Sequence, residues 1–238
     1  MDIAGNYHAV LGHIRQVAIR CGRDPATIRL VVVTKGHSIE TIRRVMGAGA
    51  CNLGENYVEE AAPKISALAS EMGVYWHMIG HVQSRKARAV CELFDTVHTL
   101  DSIKLAHRLD RFAGEMERKL PVLLECNVSG EESKSGLSAW QENRWAELLP
   151  VIAQLVGCAN LEVRGLMTMA PFLPEAEGAR IYFQRLKRLQ SFFMEHFPSV
   201  TWSELSMGMS ADYEVAVEEG ATLVRVGTAI LGPRPVVQ

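Results

Sequence analysis

The chain has 238 residues, 48% hydrophobic and 22% charged, with 25 basic against 27 acidic side chains and a net charge of −2. That composition belongs to a globular protein with one sizeable core and excludes a disordered or low-complexity chain. The near-neutral balance offers no polycationic face for nucleic acid and no acidic tail.

The N-terminus, Met-Asp-Ile-Ala-Gly-Asn-Tyr-His, carries an acid at position 2 and no base before Arg15, so no secretory signal is expected. The longest uncharged stretch, residues 148–161, contains Pro150, Gln154 and Asn160. It falls short of the roughly 20 apolar residues that a membrane span needs. Five cysteines (Cys21, Cys51, Cys91, Cys126 and Cys158) are odd in number, dispersed and free of any CxxC pair. This argues against a disulfide framework and against structural zinc. Each reads as a buried small hydrophobe of a cytoplasmic protein.

Residues 2–21 place Ile3, Val10, Leu11, Ile14, Val17 and Ala18 at helical spacing, ending near Gly22. Strand and helix then alternate. The first strand, 28–34, runs into Lys35, and Ser38 is positioned to cap a helix over 40–48 that Gly47 and Gly49 stop. The second strand, 51–54, precedes a helix over 57–68; the third, 74–79, precedes one over 83–91. The fourth, 94–100, leads to a helix capped by Asp101, and the fifth, 121–128, to a Pro-interrupted helix over 139–156. A sixth strand, 161–168, precedes a long helix over 175–196. A seventh, 201–205, precedes a helix over 212–219, and an eighth covers 222–226.

Eight strands, each but the last followed by a helix, repeat every 30 residues or so (roughly the length of a βα unit). A single closed (β/α)8 TIM barrel over residues 1–238, with the N-terminal helix as an extra element, accounts for the length. A doubly wound open sheet is the competing topology, because a local pattern does not prove closure.

In a parallel barrel the chemistry gathers at the C-terminal ends of the strands. Lys35 follows Val31-Val32-Val33-Thr34, so its stem emerges from a buried strand at the barrel mouth. Partial desolvation there lowers an amine's pKa and frees it as a nucleophile toward an aldehyde. The plainer alternative is a lysine that snorkels to solvent. Across the mouth, Ser206-x-Gly208-x-Ser210 precedes a helix start near Asp212, and Gly227-Thr228 precedes Gly232. Small hydroxyl residues and free backbone amides form an anion cradle, and barrels often bind phosphate after strands seven and eight. Tight turns and helix capping would use the same residues. A nucleophilic lysine facing a phosphate cradle describes pyridoxal phosphate.

Seven motifs then appear in order: Thr34-Lys35, Gly54-Glu55-Asn56-Tyr57-Val58-Glu59-Glu60, Trp76-His77-Met78-Ile79-Gly80, Ser133-Lys134-Ser135-Gly136, Arg164-Gly165-Leu166-Met167, Ser206-Met207-Gly208-Met209-Ser210-Ala211-Asp212 and Arg225-Val226-Gly227-Thr228. Over residues 10–233 the chain closely resembles the pyridoxal phosphate homeostasis protein family. The resemblance implies a single fold-type III barrel related to the N-terminal domain of alanine racemase. It implies pyridoxal 5'-phosphate carried on Lys35 as an internal aldimine, with Asn56, Met209, Ser210, Gly227 and Thr228 lining the cofactor and phosphate site. Arg225 would approach the pyridine nitrogen. One departure is Arg85, where the family often has Asn.

A cationic guanidinium beside the ring nitrogen disfavours its protonation, which weakens the ring as an electron sink and disfavours transamination. Pairing of Arg225 with Glu204 or Asp212 is the structural alternative. Racemisation needs acid/base groups on both faces of the substrate α-carbon. In alanine racemases one of them is a tyrosine from a second domain of a partner subunit, and this chain ends after the barrel. Tyr57, His81 and Cys126 are internal candidates, each with a structural explanation: helix-start packing, a backbone hydrogen bond and filling of the barrel. A carrier without turnover and without catalytic residues is therefore the leading expectation. A pyridoxal-phosphate-dependent amino-acid racemase-like enzyme is the alternative. The expected partners are the cofactor and acceptor apo-enzymes, not nucleic acid or membrane, and the chain is expected to be a monomer. His77 and His81 lie four apart on a strand and loop, which does not suit zinc, and Arg85-Lys86-Arg88 reads as a solvated helix face.

Overall fold

The computed structural model describes residues 1–71 and 73–234. Among the described residues nine strands follow in chain order: β1 (Arg29–Val33), β2 (Asn52–Glu55), β3 (Tyr75–Met78), β4 (Thr96–Leu100), β5 (Leu120–Asn127), β6 (Leu137–Ser138), β7 (Leu161–Met167), β8 (Glu204–Ser206) and β9 (Leu223–Val226). Eight of them pair in the order β4-β3-β2-β1-β9-β8-β7-β5, all parallel, and the β4–β5 pairing closes the ring. Closure selects the (β/α)8 barrel over the doubly wound sheet. The short β6 pairs only with β5, outside the ring, through Cys126 with Leu137 and Asn127 with Ser138.

The helices are α1 (Ile3–Arg20), α2 (Ile39–Gly47), α3 (Val58–Ala67), α4 (Ala87–Leu93), α5 (Ile103–Glu115), α6 (Leu149–Val156), α7 (Arg180–His196), α8 (Tyr213–Glu218) and α9 (Thr228–Leu231). The extra helix α1 starts where the Asp2 side chain accepts the Gly5 amide at 2.9 Å, and it buries Ile3, Tyr7, Val10, Ile14, Val17 and Ala18. Ser38 caps α2 as its spacing requires, accepting the Thr41 amide at 3.2 Å.

Local differences from the sequence reading have simple causes. Asp101 does not cap α5; Ser102 does, accepting the Leu105 amide at 3.4 Å, while Asp101 accepts the Ser102 hydroxyl. The helix expected over 83–91 opens as a 3-10 turn, Ser84–Lys86, before α4. The one expected over 139–156 is a 3-10 segment, Glu142–Leu148, followed by α6, with Pro150 in its first turn where no N–H is needed. The last strand is followed by a one-turn helix, α9. Cys91, Cys126 and Cys158 are buried, whereas Cys21 and Cys51 are exposed, so the reading of all five as buried hydrophobes fails for those two.

Successive strand side chains point to opposite faces. Val32, Leu53, Val97, Leu124, Leu205 and Val224 face outward into the continuous core beneath the helices. Their neighbours face the lumen: Val31, Leu123, Met167 and Leu223 form a second, separate apolar cluster. The same parity turns Glu125, Ser206 and Arg225 inward, all buried. None of the described helices is long and apolar enough to cross a membrane.

Candidate cofactor-binding site

Lys35 lies two residues beyond the end of β1, at the C-terminal rim and in register with lumen-facing Val31. It is half-buried, and burial lowers its pKa below the ordinary lysine value. Arg234 and Arg225 add to that shift, while Glu55 and Glu60 oppose it. The loop that carries it is clamped from below. Thr34 donates its hydroxyl to Glu55 at 2.7 Å, and Gly36 donates its amide to Glu60. Lys64 on α3 donates to the Thr34 carbonyl at 2.9 Å, to Glu55 at 2.7 Å and to Glu60 at 2.6 Å. Gly36 adopts φ +76°, the left-handed region that favours glycine, and a Cβ there would sit 2.9 Å from Cδ of Arg234 and displace that side chain. Glu55 and Lys64 are both buried, so removing either partner would strand a charge in the interior.

Asn56 follows β2, and its Oδ1 is buried with no hydrogen-bond partner among the described residues. A buried acceptor left unpaired costs about 1–3 kcal/mol, which marks a place for an incoming donor. With Tyr57, His81 and Lys86 it lines a cleft of about 360 Å³. Tyr57 does not pack at the helix start as expected, being 61% exposed. His81 pairs with the Asp101 side chain at 3.1 Å instead of bonding backbone. Cys126 belongs to the outer core and not to the lumen, and burial pushes its thiol well above the usual range.

The loops after β8 and β9 meet. Gly208, at φ +90°, packs so closely on α8 that a Cβ would come within 2.5 Å of the Ala216 methyl. This lets the chain turn so that the Met209 amide donates to Asp212 at 2.6 Å. The amides of Ser210 and Ala211 have no acceptor among the described residues. Ala229 donates its amide to the Ser210 hydroxyl at 3.4 Å, joining the two loops beside exposed Thr228. Gly227 lies against Val33, where a Cβ would stand 3.2 Å from the Val33 side chain. Met209 and Ser210 are half-buried. On its outer side Ser210 borders a cleft of about 630 Å³ shared with Asn6, His13 and Tyr213. Lys35, Asn56, Met209, Ser210, Arg225, Gly227 and Thr228 thus sit on or just after four consecutive strands of the ring, β2-β1-β9-β8.

Arg225 is 4% exposed. Its guanidinium donates to the Ser206 hydroxyl at 2.5 Å and to the Thr168 carbonyl at 2.8 Å. The alternative pairing with Glu204 or Asp212 does not form: Glu204 pairs with Arg29, and Asp212 takes the Met209 amide. Burial pulls the guanidinium pKa down to about 10, so it stays charged at neutral pH. Glu125, three per cent exposed, has one oxygen unpartnered, and burial, aided by Asp101, pushes its pKa up to about 7. Sequence reasoning missed Glu125 and Lys64. A glutamate inside the run Val-Leu-Leu-Glu-Cys was the available signal for the first; nothing local marks the second.

Of the basic cluster, Lys86 pairs with Glu59, and Arg88 with Glu92 and Glu115. His77 and His81 do not converge: His77 is fully buried in the barrel and His81 is exposed at the rim. No group of three or more His, Cys, Asp or Glu side chains that could hold a metal ion occurs among the described residues.

A closed parallel barrel with a half-buried lysine after its first strand, a buried arginine on its last and free amides after the strand before that defines a class of barrel. The sequence profile described as "Alanine racemase, N-terminal domain" matches residues 6–235. A relative from Vibrio alginolyticus, "Pyridoxal phosphate homeostasis protein", is 39% identical over 236 residues, covering 98% of each chain. One of the same name from Pseudomonas aeruginosa is 40% identical over 233 residues, covering 98% of this chain and 96% of its own. The solved structure of PipY from Synechococcus elongatus with PLP bound superposes with a TM-score of 0.80 at 34% identity, covering 92% of this chain and all of that one. The chain belongs to the pyridoxal phosphate homeostasis protein family.

Proposed function

We propose that this chain binds pyridoxal 5'-phosphate covalently through Lys35 Nζ and takes part in homeostasis of that cofactor without turning over an amino acid. The observation that carries the reading is the half-buried, pKa-lowered Lys35 amine on the same rim as free amides and hydroxyls. The residues suit the group. A neutral amine attacks an aldehyde, the Ser210 and Ala211 amides with the Ser210 and Thr228 hydroxyls suit a phosphate, and the orphaned Asn56 Oδ1 accepts a donor. When bound, the cofactor supplies a reactive carbonyl and a ring that can draw electron density. Arg225, charged and acting as donor only, would keep the ring nitrogen unprotonated and so hold that electron-drawing capacity low. Glu55, Glu60 and Lys64 would fix the Lys35 loop, and Met209 and Gly227 would wall the site. The PipY structure with PLP bound and the names of the relatives support the same reading.

Pyridoxal-phosphate-dependent apo-enzymes are the proposed acceptors, with the protein acting as a cytoplasmic monomer. The test loads the protein with pyridoxal phosphate, adds amino acids in heavy water, and separately mixes it with an acceptor apo-enzyme. No exchange of α-protons, together with appearance of acceptor activity, is expected. Rapid exchange that disappears in Lys35→Ala would assign an amino-acid enzyme instead.

A further inference from the structure

A run of hydrogen bonds crosses the barrel lumen. Asn52, the first residue of β2 at the N-terminal end of the barrel, has its Oδ1 3.0 Å from His77 Nε2. His77 Nδ1 lies 2.9 Å from His98 Nε2, and His98 Nδ1 lies 2.9 Å from the Ser206 hydroxyl. Ser206 in turn accepts from Arg225. β4 and β8 are separated in the ring by β5 and β7, so the His98–Ser206 bond spans the interior. His77, His98 and Ser206 are fully buried.

The chemistry of the ends sets the direction of every link. A guanidinium only donates, so Ser206 Oγ accepts from Arg225. An amide oxygen only accepts, so His77 carries its proton on Nε2 toward Asn52. A neutral imidazole then accepts at its other nitrogen. His77 Nδ1 takes the proton of His98 Nε2–H, and His98 Nδ1 takes the Ser206 hydroxyl proton. In the opposite sense, the Ser206 hydroxyl proton would have no partner among the described residues. Only one polarity satisfies the whole run, and the large majority of buried polar groups are hydrogen-bonded. Both rings are neutral: burial pulls His77 down to about 3 and His98 well below the usual value. The charged side chains acting on them, Arg29 and Arg225, are cationic and oppose protonation further.

We propose that Asn52, His77, His98 and Ser206 form a positioning chain for Arg225, a one-directional set of hydrogen bonds that fixes the guanidinium which, on the reading above, meets the cofactor's ring nitrogen. The Thr168 carbonyl fixes one arm of Arg225 and the chain fixes the other. The orientation of a group at the rim is thereby tied to a half-buried residue at the far end of the barrel.

Two measurements test it. Long-range proton–nitrogen NMR of the unliganded protein with labelled histidine should show His77 and His98 neutral and protonated on Nε2 throughout pH 5.5–8. A charged ring or an Nδ1–H form at either residue would overturn the chain. With pyridoxal phosphate, Ser206→Ala should lower affinity about tenfold, the order expected for losing a hydrogen bond to a charged group. It should also move the pH midpoint of the bound chromophore, and Ser206→Thr, which keeps the hydroxyl, should restore both. Asn52→Leu, remote from the rim, should move the midpoint the same way by less and disturb the His77 tautomer. An Asn52→Leu protein that matches wild type in both readouts contradicts a connected chain. A wild type that neither colours nor can be fixed by borohydride fails the cofactor reading alone, and the tautomer result still decides the chain.

Discussion

The lumen-facing side chains form two interleaved sets that meet burial in different ways. Val31, Leu123, Met167 and Leu223, from β1, β5, β7 and β9, make up one set, with apolar volume and no directional bonds. Asn52, His77, His98, Ser206 and Arg225 make up the other, with a continuous run of donors and acceptors. Apolar packing tolerates any side chains of suitable volume, whereas a polar run tolerates only residues that keep each partner satisfied. The first set supports the rim, and the second specifies the orientation of what reaches it. Glu125 stands inward at the rim with one oxygen unpartnered.

The comparison breaks most visibly in the apolar set. Leu123→Ala should cost about 3–4 kcal/mol of unfolding free energy by chemical denaturation, with no dependence on pH, because it opens a cavity among buried side chains. Cofactor uptake at saturating concentration should survive in the folded fraction.

Glu125→Gln should do the reverse. Glu125 has a folded-state pKa of about 7, above the ordinary carboxylate value of 4.5. Its protonated form is therefore the one the fold accommodates. Its contribution to stability is complete below pH 4.5 and is lost as pH rises to 7, because the unfolded chain releases this proton while the folded protein retains it. The amide avoids that penalty, so the variant should match wild type near pH 4 and exceed it at pH 8 by up to about 3 kcal/mol. Equal pH profiles for the two proteins would refute the assignment.

A smaller effect is expected from His98→Leu, which leaves the Ser206 hydroxyl and His77 Nδ1 without their partner at the centre of the polar run. A loss of about 2 kcal/mol follows from stranding buried polar groups. Double-mutant cycles with Ser206→Ala should show coupling, because the two side chains share a hydrogen bond.

Much of this arrangement was legible in the sequence. The barrel followed from the unbroken alternation of strands and helices, and Lys35 stood out as a lysine ending a β-branched strand. The Gly-Met-Ser and Gly-Thr turns were readable because few residues other than glycine allow such close approach. The lumen was not legible. Which strand residues point inward depends on closure and register, so His98 in Thr-Val-His-Thr-Leu and Glu125 in Leu-Leu-Glu-Cys gave no local sign of their partners. Lys64 looked like an ordinary helix lysine because Glu55 and the Thr34 carbonyl come from other elements. Tyr57 failed as a packed residue for the same reason: its surroundings are a cleft formed with His81 and Lys86 after β3. Asp101 and Ser102 are both good capping residues, and neighbours of that kind exchange roles readily.

The central claim is that Lys35 is the covalent anchor. Protein incubated with pyridoxal phosphate, reduced with borohydride and digested should yield one cofactor-bearing peptide, modified at Lys35. The same treatment of Lys35→Ala should leave the protein colourless and unlabelled. Label on Lys64, Lys134 or dispersed surface lysines, with Lys35 unmodified, would contradict the account.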